Sequence, residues 1–208
     1  MVSAINLNSL ILFLFLGSAI TSTAQSYHDK LTEISDSFTQ ELRSKGIDTI
    51  LVYKDYCEGC VYLSKVEDNC ENQAPPVNIF WLDNGQTFMV EKNACHSYGV
   101  IKTNNNFFWK YYFEHAESIK TESIKMPQYI DEQGKLLTVS RNHTQNQEID
   151  IITGDLIVSK NLDDFYFTKL LDSGKNKNLH YRYNKETHLK KLQLMLASVV
   201  KKERRKHF

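Results

Sequence analysis

No G-x-S-x-G elbow, no G-x-x-x-x-G-K-[ST] loop, no G-x-G-x-x-G turn and no H-E-x-x-H pair occurs in the 208 residues. The first would expose a serine nucleophile on a strained turn. The second and third would cradle phosphates on backbone amides, and the fourth would set two metal-binding imidazoles on one helix face. Without them the chain gives no support for serine hydrolysis, nucleotide handling or zinc-protease chemistry. Seven histidines stand at 28, 96, 115, 143, 180, 188 and 207, none in a zinc-hydrolase spacing. "HYRYNKETH" (180–188) offers His180, Arg182 and His188 as nuclease-type groups, but it reads more simply as a strand with a polar face. Carboxylates are plentiful, Asp48, Asp163 and Asp164 among them, yet no spacing pairs two across a cleft.

Net charge is also lacking, since 25 Lys and Arg balance 25 Asp and Glu. Tracking a phosphate backbone requires a basic face, so nucleic acid is not an expected partner. The aromatic run "FFWKYY" (107–112) accordingly reads as core, through Phe107, Phe108, Trp109 and Tyr112. The balance is uneven along the chain. From Lys185 to Phe208 eight Lys or Arg stand against two Glu, a local +6, and with no charge before residue 25 the stretch 25–184 carries −6. Cations gather at a helix C-terminus because the macrodipole favours them there, and that is the reading given to the basic tail.

Long apolar runs are missing as well. The opening "MVSAINLNSLILFLFLGSAITSTAQS" has no charged side chain, and its apolar stretch Leu10–Leu16 is broken by Gly17, Ser18, Thr21 and Ser22. That falls short of the roughly 20 residues a membrane span needs. Small residues at Ser22 and Ala24 suit signal peptidase, which makes residues 1–24 a signal peptide cut after Ala24, although its start lacks Lys and Arg. No cysteine follows the cut to carry a lipid. The expectation is a periplasmic or secreted protein with no stable membrane anchor after signal removal, residues 25–208 forming a single globular domain.

What is present reads as α+β. Tyr27, Leu31, Ile34, Phe38 and Leu42 recur at helical spacing ahead of Gly46, which predicts an N-terminal helix with a glycine stop. "IDTILVY" (47–53) predicts a strand, and "VNIFWLDNGQTFMVEK" (77–92) a hairpin about Asn84-Gly85. Phe108, Tyr112, His115 and Ile119 predict a middle helix over 104–120. Strands are expected at 134–140, 148–152, 156–159 and 178–183. A long C-terminal helix closes the chain, capped by Asn184, with Leu189, Leu192, Leu196 and Val199 on one face and Leu194, Met195 and Val200 widening the stripe. The architecture that follows is a mainly antiparallel sheet with an N-terminal, a middle and a long C-terminal helix.

Cys57, Cys60, Cys70 and Cys95 are the only cysteines. An even count in an exported chain favours disulfides. Four cysteines allow three pairings; proximity suggests Cys57 with Cys60 and Cys70 with Cys95, the second closing a loop of about 25 residues for roughly 3 kcal/mol. The rival is a thioredoxin-like oxidoreductase with Cys57 as nucleophile and Cys60 as resolving thiol. Only 16 residues separate Cys60 from Pro76, too few for the helix, strand and connecting helix that such a fold places there. Zinc is disfavoured because Cys70 and Cys95 stand alone and the adjacent Cys95-His96 cannot readily face one ion. No metal and no cofactor is expected. Asn142-His143-Thr144 is a glycosylation sequon, meaningful only in a eukaryotic source.

The exported start, "YCEGC", "VNIFWLDNGQTFMVEKNAC", "FFWKYYFEHAESIKTESIK" and "NLHYRYNKETHLKKLQ" together resemble uncharacterised secreted proteins of Bacteroidota. The resemblance spans most of residues 25–208 and implies a location outside the cytoplasm, with no activity or catalytic residue attached to it. The function expected is non-enzymatic: a binding, inhibitor or immunity-type module stabilised by disulfides, its partner a protein or a small ligand.

Overall fold

The computed structural model describes residues 27–57, 76–93 and 97–207. Helix α1 (Tyr27–Ser44) buries Leu31, Phe38 and Leu42 and half-buries Ile34. It ends at Gly46, whose φ of +81° suits a residue without Cβ. The amides of Gly46 and Ile47 donate to the carbonyls of Arg43 and Leu42 at 2.9 and 3.1 Å, the double closure of a Schellman motif.

Next come β1 (Thr49–Cys57), β2 (Val77–Asp83), β3 (Gln86–Lys92), β4 (Ile101–Thr103) and helix α2 (Phe107–Thr121). A small hairpin, β5 (Gln128–Ile130) with β6 (Leu136–Thr138), leads to the long pair β7 (Gln145–Thr153) and β8 (Leu156–Asp163). The short pair β9 (Leu170–Leu171) and β10 (Asn176–Lys177) precedes helices α3 (Tyr181–Glu186) and α4 (His188–His207). Six of the strands make one antiparallel sheet in the order β4-β3-β2-β1-β7-β8. The turn between β2 and β3 places Asn84 at φ +48° and Gly85 at +74°, the two positive values that a two-residue hairpin needs.

Strand β1 lies inside the sheet and is covered on both faces. On one side Leu31, Phe38 and Leu42 of α1 pack on Ile50, Val52, Tyr56, Ile79 and Trp81. On the other, Phe108, Trp109 and Tyr112 of α2 and Leu189, Leu192, Leu196 and Val199 of α4 pack on Leu51, Tyr53, Phe80, Met89 and Ile149. Two-sided burial is why the apolar run in β1 is continuous rather than alternating. Each fully buried Leu, Ile or Phe in these cores contributes about 2 kcal/mol of transfer free energy.

The α+β architecture and its N-terminal, middle and C-terminal helices are as the patterning predicts, and several details are not. The stretch 178–183 is not a strand. Asn178 accepts from the amide of His180 at 3.0 Å and donates to the carbonyls of Tyr166 and Thr168, so the chain turns there and enters α3. Asn184 does not cap α4. Its fully buried amide instead takes the Lys125 amide proton and donates to the carbonyls of Lys125 and Tyr166, each at 2.9 Å. The start of α4 is satisfied by Thr187, whose hydroxyl accepts from Lys190 N at 3.1 Å, and by Glu122, which accepts from Leu189 N at 3.0 Å. Phe107, expected in the core, is 44 % exposed at the first position of α2, and Leu194 also faces outward, so the α4 stripe is narrower than expected.

Candidate functional site

Successive residues of a strand point to opposite faces. In β1 this sends Tyr53 and Asp55 toward α4, and Lys54 toward α1. Each direction ends in a polar site.

Under α1 the Lys54 side chain is 1 % exposed. Its Nζ donates to Glu148 Oε1 at 2.6 Å and to Thr32 Oγ1 at 3.2 Å, and lies 3.5 Å from Asp150 Oδ2. Glu148 also meets His28 Nε2 at 2.8 Å, and the His28 ring lies beside that of Tyr56. Burial pushes Glu148 upward, but the hydrogen bonds from Lys54 and His28 outweigh it and hold its carboxyl below the usual range. Burial dominates at Asp150, whose pKa is raised despite the Ser159 hydroxyl and Lys54; the Glu148 charge adds to the rise. A cleft of about 400 Å³ runs past these groups, lined also by Asp36, Thr39 and Arg43. The principal charges here answer one another, which makes this network a tie between α1 and the sheet.

The α4 side differs. A pocket of about 420 Å³ is lined by Tyr53 and Asp55 of β1, Pro76 and Asn78 at the start of β2, and Ala197, Val200, Lys201, Arg204 and Arg205 of α4. Lys201 and Arg205, at an i, i+4 spacing, share one helix face. Asn78 is 2 % exposed, and its side-chain oxygen has no partner among the described residues. A buried amide oxygen without a hydrogen bond is disfavoured by about 1–3 kcal/mol, so it marks a position that a donor can fill. Tyr53 accepts from Gln193 Nε2 at 3.1 Å, and burial, with help from Asp55, pushes its phenol pKa up, so the hydroxyl keeps its proton. Asp55 accepts from the amides of Gln145 and Gln147 at 2.7 and 3.2 Å, both through Oδ1. Arg204 is held by Glu91 at 2.6 Å, while Lys201 and Arg205 have no carboxylate partner among the described residues. The pocket therefore has one unanswered acceptor, the Asn78 oxygen, in its wall and, at its rim, two cations without a carboxylate partner among the described residues. A larger groove of about 530 Å³ along α1, lined by Lys30, Glu33, Phe38 and Lys92, contains no orphaned buried polar atom and offers no comparable chemistry.

Of the cysteines, Cys57 ends β1 in a half-buried position, and no free cysteine occurs among the described residues. Cys60, Cys70 and Cys95 lie outside the described residues, as does the proposed signal segment 1–24. His180, Arg182 and His188 are not brought together. His180 meets Gln128 at 2.9 Å, Arg182 pairs with Glu186 at 2.8 Å, and His188 lies 2.7 Å from the Tyr111 hydroxyl with its ring stacked on His115. Among the described residues no three His, Cys, Asp or Glu converge as a metal site, and no helix is long and apolar enough to cross a membrane.

Reasoning from sequence passed over Asn78, Asp55 and Lys54. Their one signal was a polar residue inside an otherwise apolar strand, and nothing in a linear pattern joins Asp55 to Arg205. Comparison with protein-family models, with curated proteins and with solved structures finds no match for this chain.

Proposed function

We propose that the protein is an exported, disulfide-stabilised binding module without enzymatic activity, and that the pocket between β1, β2 and α4 is its recognition site. The observation that carries the reading is the orphaned Asn78 oxygen, buried in the wall of a pocket whose rim holds Lys201 and Arg205 without carboxylate partners among the described residues. A volume of about 420 Å³ falls in the range of small-ligand sites, roughly 300–1,000 Å³. Export is supported by the uncharged apolar start ending in Ser22-Thr23-Ala24, by the even cysteine count and by the resemblance to secreted proteins of Bacteroidota. The neutral overall charge speaks against nucleic acid as the partner.

The test is a thermal-shift screen of small polar metabolites against wild type and a Lys201→Glu/Arg205→Glu double variant. Both positions are exposed, so the variant is expected to fold. Compounds that stabilise wild type and lose that effect in the variant support the reading. Stabilisation of both proteins alike, or of neither by any compound, sinks it.

A further inference from the structure

We infer that the pocket beneath α4 takes a small zwitterion of amino-acid or dipeptide size, its ammonium directed inward and its acid group outward. This rests on the reading of the pocket as the recognition site.

The polarity of the cavity is segregated. The strands supply acceptors: the buried, orphaned Asn78 oxygen, the buried Tyr53 hydroxyl, already accepting from Gln193, and the half-buried Asp55 carboxylate, which the Gln145 and Gln147 amides approach through Oδ1. The cavity rim carries Lys201, Arg204 and Arg205 on the last turns of α4, and among the described residues only Arg204 has a carboxylate partner, Glu91. Ala197, Val200 and Pro76 supply the apolar wall between the two zones.

Simpler ligands satisfy one zone and offend the other. A bare anion answers the rim, but it leaves Asn78 unpaired and brings negative charge toward Asp55. A bare amine answers Asn78 and Asp55 and leaves the rim cations without a counter-charge. An ammonium with three donors at one end and a carboxylate at the other satisfies both, and Arg and Lys at the mouth are suited to hold that carboxylate.

The experiment is isothermal titration of the mature chain with glycyl-glutamate, with its N-acetylated form and with its C-terminal amide. The free dipeptide is expected to bind, with N-acetylation weakening it at least tenfold. Asp55→Asn, which keeps the shape of the side chain, and Lys201→Ala/Arg205→Ala are each expected to weaken it by a similar factor. Unchanged affinity of the N-acetylated form overturns the zwitterion and leaves an anion pocket, in which case the polar-metabolite screen still scores against the double variant. Absence of binding by all three probes overturns the zwitterion outright. If the screen against the double variant is also empty, the recognition site falls with it.

Discussion

Lys54 and Glu148 stand directly opposite one another across the β1–β7 ladder and close a 2.6 Å hydrogen bond on the face covered by α1. Lys54 is buried and Glu148 half-buried, and the pair is shared: Glu148 reaches His28 near the start of α1, while Lys54 reaches Thr32 one turn later. Two strand residues therefore fix where the first helix sits. The register of the sheet and the placement of α1 are one structural fact.

Lys54→Met removes the cation and leaves two half-buried carboxylates without it. Breaking one side of a buried pair typically destabilises by about 3–5 kcal/mol, and a loss near the lower end is expected because Glu148 keeps His28. Adding Glu148→Gln and Asp150→Asn to the same chain is expected to restore part of it. Urea unfolding of the single and triple variants checks this; a loss under about 1 kcal/mol for Lys54→Met contradicts the network.

The two carboxylates give opposite pH signatures. Glu148 is depressed in the folded state, so the stability it contributes is present above its ordinary value near 4.5 and is lost as pH falls through the lower folded value. Asp150 is raised, so its ionisation opposes folding as pH climbs from its ordinary value near 3.8 through the folded one. Glu148→Gln is expected to flatten the acid limb of stability against pH. Asp150→Asn is expected to be neutral or stabilising at pH 7, with any gain fading toward pH 3. Chemical denaturation across pH 3–8 measures both, and identical profiles for the two variants would refute the assignment.

Thr187 is the helix-capping residue of α4. Thr187→Val keeps its size and removes the oxygen that receives Lys190 N, so a loss of about 1 kcal/mol is expected. Calorimetry should record a melting temperature lower by roughly 2–4 °C. Asn184→Ser, at the residue that the sequence pattern suggests as the cap, is expected to do more damage, because the amide joins Lys125, Tyr166 and α3.

Peptide mapping without reductant is expected to link Cys57 with Cys60 and Cys70 with Cys95. Insulin reduction by wild type is expected to be no faster than by Cys57→Ser. Turnover abolished by that substitution would make the protein a thiol oxidoreductase instead.

Much of the fold was readable because it rests on local rules. Asn84-Gly85 tolerates the two positive φ angles and so announces its hairpin, and Gly46 closes α1 for the same steric reason. The stretch 178–183 misled because alternating His, Tyr, Arg and Tyr imitates a strand, whereas the deciding contacts of Asn178 run to Tyr166 and Thr168, ten or more residues away. The pocket was unreadable for a related reason. Asp55, Asn78 and Arg205 each look like an ordinary polar residue until the sheet sets β1 beside β2 and α4 is laid across them.

Among the described residues strand β8 forms one border of the sheet and pairs only with β7. Lys160 in its middle is turned back onto the carbonyls of Lys120 and Glu122 at 2.7 and 2.8 Å, so its ammonium closes the end of α2 rather than standing guard on the open flank. The far end, Leu156 and the 56 % exposed Ile157, is left as bare hydrophobic ribbon. In a concentrated solution, edge-to-edge association of one molecule with the next is expected to start at that corner, and Ile157→Lys is expected to suppress it, as light scattering against concentration would record.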